Sequence, residues 1–198
     1  MSVEAAAEPE EGTTYAYRPS LLGVPMEFQL TSGGLNWSGA RGSGHVAYRD
    51  MRHVRMTFVP ATMQPHRFVT EIWADRVPKL AIVSSSWKSM VEQERLDRGY
   101  RAFITELHRR LALAGSTARF EQGRHALLYW PGLAIFALFL VVLATLVPRA
   151  IAAGEGGVAV LIGGSILLFA WYGWEFFGRN RPRSYTPDAP PQALLPKT

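Results

Sequence analysis

Residues 126–147 read ALLYWPGLAIFALFLVVLATLV, 22 consecutive positions without a charged side chain. A helix of that length rises about 33 Å, enough to cross a hydrocarbon core of about 30 Å. Thirteen of these positions are Leu, Ile, Val or Phe. At the bilayer centre they favour insertion by on the order of 4–8 kcal/mol in total. Pro131 falls one turn inside, where a missing N–H is tolerated. Enclosing such a helix in a water-soluble fold needs a shell of protein that 198 residues do not supply. The run is predicted to span a membrane.

A second run, 156–177 (GGVAVLIGGSILLFAWYGWEFF), is glycine-richer and carries Glu175 near its end. Trp171, Tyr172 and Trp174 gather at that end and Arg179, Arg181 and Arg183 follow, the order expected where an aromatic belt meets lipid headgroups. Glu175 then lies at the interface, where its cost is modest. Eight residues, 148–155, join the runs, so the two form an antiparallel hairpin. Gly156, Gly157, Gly163 and Gly164 recur at seven, and Ala159 with Gly163 makes a small-xxx-small pair. These five residues are the candidate helix-packing face, either for the hairpin itself or for a partner's helix.

Arginines orient the hairpin. Arg109, Arg110, Arg119 and Arg124 precede the first run, Arg149 alone sits in the loop, and Arg179, Arg181 and Arg183 follow the second. In a bacterial-type inner membrane this places both termini in the cytoplasm and the loop outside. The net charge of +5 also raises nucleic acid as a partner. The arginines thicken beside the apolar runs, however, which is the pattern of a protein facing an anionic bilayer, and no nucleic-acid partner is expected. Mean hydropathy is only +0.02 because a polar front half offsets the apolar back. The acidic start, MSVEAAAEPEEG, has no apolar core and is not expected to act as a secretory signal.

The front half is β-rich. MEFQLT precedes a Gly33-Gly34 turn, and SGARGSG marks another at 38–44. Val54, Met56 and Phe58 alternate with His53, Arg55 and Thr57, the period of a half-buried strand. RFVTEIWAD alternates too, with apolar groups on both faces, so it is expected near the centre of its sheet. About five strands are countable in this way. After Ser86 the period becomes helical: Leu96, Tyr100, Phe103, Ile104, Leu107 and Leu111 share one face, with His108 on the polar side. The expected layout is a disordered tail 1–20, a cytoplasmic domain 21–115, a linker 116–125, spans 126–147 and 156–177 around an extracytoplasmic loop 148–155, and a basic then Pro-rich coil 178–198.

Strands first and one closing helix after, with LNWSG, YRDMRHVRM, KLAIVSSS and YRAFITELHRRLA at the corresponding places, resembles the bacterial pleckstrin-homology-like (PH-like) domains of small membrane proteins. The resemblance covers roughly residues 25–115. It implies an α+β fold, a small antiparallel barrel or sheet capped by a C-terminal helix, and a binding or scaffold role.

Chemistry is sparse. With no cysteine, disulfides, thiolate zinc sites and cysteine nucleophiles are excluded. His45, His53 and His66 lack carboxylate or cysteine partners at ligand spacing, and His108 and His125 read as solvated positions. Ser84, Ser85 and Ser86 lack a nucleophile elbow and read as a strand end or helix cap. Asp50, Glu71 and Asp75 show no acid–base arrangement. No catalytic residue, cofactor or metal is therefore assigned. One constellation is basic: Arg41 in a turn with Arg49, Arg52 and Arg55 in the adjoining strand segment, a candidate contact for anionic headgroups. The expected function is a non-catalytic, membrane-anchored adaptor, assembly factor or accessory subunit, partnered by the bilayer and by another membrane protein. The alternative is a structural subunit recognised through its glycine-rich hairpin.

Overall fold

The computed structural model describes residues 13–60, 66–88 and 93–197, and the residues divide into two compact units. The first unit ends its N-terminal part at Glu121 and resumes at Ser184; the second runs from Gln122 to Arg183.

The first unit is a mixed α+β structure with antiparallel pairings. Strands β1 (Thr14–Tyr17), β2 (Met26–Leu30), β3 (Gly34–Gly39) and β4 (Gly42–Ala47) form one meander. Strands β5 (Met51–Val59), β6 (Arg67–Ala74) and β7 (Leu80–Val83) belong to a second, five-stranded sheet, in which β6 lies inside, paired on both sides by β5 and β7, as its two apolar faces predict. A short ribbon of β8 (Ser85–Trp87) and β9 (Gln93–Arg95) leads into helix α1 (Asp97–Leu113). Strand β10 (Arg119–Gln122) then adds beside β5. Among the described residues the two larger sheets do not join into a closed barrel.

Period-two alternation builds the core. Phe28, Leu35 and Val46 point inward from the first sheet, and Val54, Met56, Phe58, Ile72 and Ile82 from the second. Tyr100, Phe103, Ile104, Leu107 and Leu111 cover them from α1, the helical face that the spacing predicts. Tyr100 also places its hydroxyl 2.7 Å from Thr70 Oγ1, so both buried oxygens are satisfied.

The structure departs from the expected layout in three places. β1 lies inside the expected N-terminal tail, with Tyr15 and Tyr17 buried, while residues 1–12 of that tail lie outside the described residues. β10 occupies the expected linker. The Pro-rich tail is no free coil: Leu194 and Leu195 are 1% and 2% exposed within the first unit's core. Arg101 holds that tail by donating to Pro196 O and Gln192 Oε1, both at 2.8 Å.

The second unit is two antiparallel helices, α2 (Ala126–Ala152) and α3 (Gly156–Arg179), both long and apolar enough to cross a membrane. Ahead of α2, Gly123 adopts a left-handed conformation (φ +77°), and a Cβ there would lie 2.2 Å from Asn180 O. That glycine lets the two ends of the hairpin touch through backbone, with Arg124 N donating to Asn180 O at 3.0 Å.

Candidate functional site

The basic constellation sits on and beside β5. A register shift between Met51 and His53 turns Met51 inward and leaves Arg52 and His53 in succession away from the core. Arg52 grips Asp75 of the facing strand end, with Nε and Nη2 at 2.9 and 2.6 Å from Oδ2. The hydrogen bond lowers the Asp75 carboxyl below its usual range and raises the Arg52 guanidinium. Arg55 donates to Glu121 Oε2 at 2.6 Å and lies 5.7 Å from the Trp73 ring centre. His53 stacks on the same indole, its ring 4.6 Å from Trp73, and its Nε2 is 3.1 Å from Glu121.

Burial lowers the His53 imidazole below its usual range, against the pull of Glu121, so its contact with Glu121 at neutral pH is a hydrogen bond from a neutral ring. Burial also opposes ionisation of Glu121, yet Arg55 and His53 outweigh it and hold that carboxyl low. Two of the four candidate arginines, Arg52 and Arg55, are therefore already matched by carboxylates. Arg41, in the β3–β4 turn, and Arg49, in a short 3-10 turn at Tyr48–Asp50, are exposed and make no ion pair among the described residues. The structure thus groups Arg52 and Arg55 on the second sheet and puts Arg41 on a turn of the first. A phosphate recruiting Arg52 or Arg55 must displace a carboxylate, whereas Arg41 and Arg49 are open to one.

Other polar candidates have partners within the fold. Ser84 Oγ, just past the end of β7, accepts from Phe68 N at 2.9 Å, and Ser86 Oγ, in the middle of β8, accepts from Arg18 N at 3.0 Å. His45 is exposed and pairs with Asn36 at 2.7 Å. His66 lies among the rings of Phe58 and Phe68. His125 caps α2 by accepting from Leu127 N. His108, expected on a solvated helix face, is instead buried and contacts Tyr185 Oη at 2.9 Å. The docked tail covers it, and that cover is absent from any single-helix pattern.

In the hairpin, the less exposed positions of α2 include Tyr129, Leu133, Phe136, Leu140, Leu143 and Val147; those of α3 include Ala159, Gly163, Ile166, Ala170, Gly173 and Phe177. Steps of four and three alternate in both, the heptad spacing of paired helices. Phe177 meets Tyr129 and Phe136 at ring-centre distances of 5.6 and 5.4 Å. Gly173 is the tight point, since a Cβ there would lie 2.2 Å from the Phe136 ring. Of the five small residues singled out in sequence, Ala159 and Gly163 fall on this seam. Gly156, Gly157 and Gly164 are exposed and do not; a Cβ on any of these three, and on Gly163 as well, meets nothing within 4 Å. Gly173 is hard to single out in sequence because it stands among aromatic residues, although the same alternating steps from Gly163, through Ile166 and Ala170, reach it.

No family model, curated protein or solved structure matches the chain.

Proposed function

We propose that the protein is an integral membrane adaptor or accessory subunit, whose first unit is a cytoplasmic PH-like module held at the bilayer by the hairpin. The observation that carries this reading is the composition of the first unit: the chain leaves it at Glu121, runs through two apolar helices, and returns to it at Ser184. A domain built from both flanks of a hairpin needs an even number of crossings, so both flanks share one side. The arginine distribution makes that side the cytoplasm. The apolar surface of the helices supports insertion, with Leu127, Ile135, Val160 and Leu161 each more than two-thirds exposed. Four strands, three strands, a short two-stranded ribbon and a closing helix, in that order, support the PH-like reading of the module. Its contribution is position: Arg41 and Arg49 are open to anionic headgroups, each adding about 1 kcal/mol of attraction, and its remaining surface is offered to a partner.

The test uses the absence of native cysteine. Membranes carrying the protein should retain it through alkaline carbonate extraction. A single Ala153→Cys substitution should react with an impermeant maleimide from outside intact cells, and Asp188→Cys only after permeabilisation. Extraction by carbonate, or labelling of Asp188→Cys from outside, refutes the reading.

The open space at Gly156, Gly157 and Gly164 favours a second reading, in which a partner's helix packs there and the protein is a structural subunit. Under that reading Gly157→Leu with Gly164→Leu releases a co-purifying membrane protein; under the first, only substitutions in the module do.

A further inference from the structure

Near the ends that join the rest of the chain, the two helices leave a cleft of about 490 Å³ between them. Leu133, Ala137, Leu140, Trp174 and Gly178 form its apolar walls, and Arg181 and Arg183 also line it. Among the described residues no carboxylate lines it, and neither arginine has an ion-pair or side-chain hydrogen-bond partner. The neighbouring surface of α3 differs: there Trp171 and Trp174 flank Arg179, which Glu175 neutralises at 3.5 Å. An apolar slot at membrane depth that ends at two unmatched guanidinium groups has the charge and polarity order of one ligand class.

We infer that this cleft holds an anionic phospholipid of the cytoplasmic leaflet, one acyl chain against Leu133, Ala137 and Leu140 and the phosphate between Arg181 and Arg183. The assignment rests on the membrane-spanning reading of the hairpin. Guanidinium groups suit the phosphate because their planar donors pair with its oxygens two at a time. Trp174 sits at the level where aromatic rings meet headgroups. Zwitterionic lipids satisfy the slot but bring a compensating cation to the arginines, so the cleft selects for net negative charge. Gly178 supplies a clean way to close it, because a Cβ there meets nothing within 4 Å and a larger side chain enters the cleft without displacing the hairpin.

The experiment is native mass spectrometry of the full chain in detergent, titrated in parallel with dioleoylphosphatidylglycerol and dioleoylphosphatidylcholine. Two arginines predict a preference of roughly thirtyfold for the anionic lipid, at about 1 kcal/mol for each cation. Arg181→Gln with Arg183→Gln should abolish the preference while leaving helical content and carbonate resistance unchanged. Gly178→Leu should reduce retention of both lipids. Equal retention of the two lipids by the native chain, or an unchanged preference in the double variant, overturns the inference and leaves the membrane reading intact. Release of the protein by carbonate overturns both. A lipid-free dimer that Gly178→Leu dissociates gives the cleft to a second copy and overturns the lipid assignment.

Discussion

Both ring nitrogens of His108 are engaged: Nδ1 lies 2.7 Å from Ile104 O and Nε2 2.9 Å from Tyr185 Oη. A carbonyl oxygen only accepts, so Nδ1 carries the proton and Nε2 accepts from the tyrosine hydroxyl. The groups facing the ring are that hydroxyl, the Ile104 carbonyl and the Phe120 ring, and none of these is charged. Burial accordingly lowers the imidazole from 6.5 to about 4. Between those values the unfolded chain binds a proton that the folded chain refuses, so stability is complete above pH 6.5 and declines as pH falls toward 4. The loss is on the order of 3 kcal/mol by pH 4. Glu106 titrates lower, since Arg109 and Arg110 hold it at about 2, so its contribution is lost mainly below pH 4.5. Denaturant melts of the full chain in detergent should therefore show a steeper fall from pH 6.5 to 4 in the native protein than in His108→Gln. Gln removes the titration while keeping a polar group; parallel slopes for the two chains would refute the assignment.

At the scale of the helix pair, Gly173 and Gly164 have the same side chain and opposite surroundings. Gly173→Leu drives its side chain into Phe136, and overpacking of that kind costs about 1–3 kcal/mol. Gly164→Leu meets open space and should leave the hairpin's thermal stability in detergent unchanged. A melt in which both variants lose equally would show that the seam is elsewhere. Such details separate what the sequence makes legible from what it does not. The two long helices are readable because composition alone determines them, and α1 because one face carries its apolar residues. β1 has the required alternation in Tyr15 and Tyr17, but four residues beside an acidic tail give too short a signal. The partners of Arg52 and Arg55 are separated from them by 23 and 66 residues, and only strand register brings Asp75 and Glu121 to them. A run of cations in one strand therefore reads as a free patch until the neighbouring strands are known. The burial of His108 fails to show for the same reason, since its cover arrives from Tyr185, 77 residues on.

Taken as a whole, the chain makes its first unit in two instalments separated by the hairpin. The second instalment is small, but Leu194 and Leu195 enter the same core as residues of β5 and α1, and Tyr185 N donates to Phe120 O at 3.1 Å. Its four prolines, at 187, 190, 191 and 196, suit this use: they fix an extended path in advance and lower the entropy lost on docking. A tail that reads as coil by composition is thus structural by position. Completion of the first unit then depends on α2 and α3 returning the chain to it at Ser184. Leu194→Ala should cost about 2–5 kcal/mol, as for a fully buried leucine elsewhere, despite lying in a segment whose composition suggests no core at all. Removal of residues 184–198 should cost more, and should lower amide-exchange protection in β5 and α1 while the helices α2 and α3 keep theirs. If hydrogen exchange in β5 and α1 is the same with and without the tail, the module is complete by Glu121 and the return of the chain has no structural consequence.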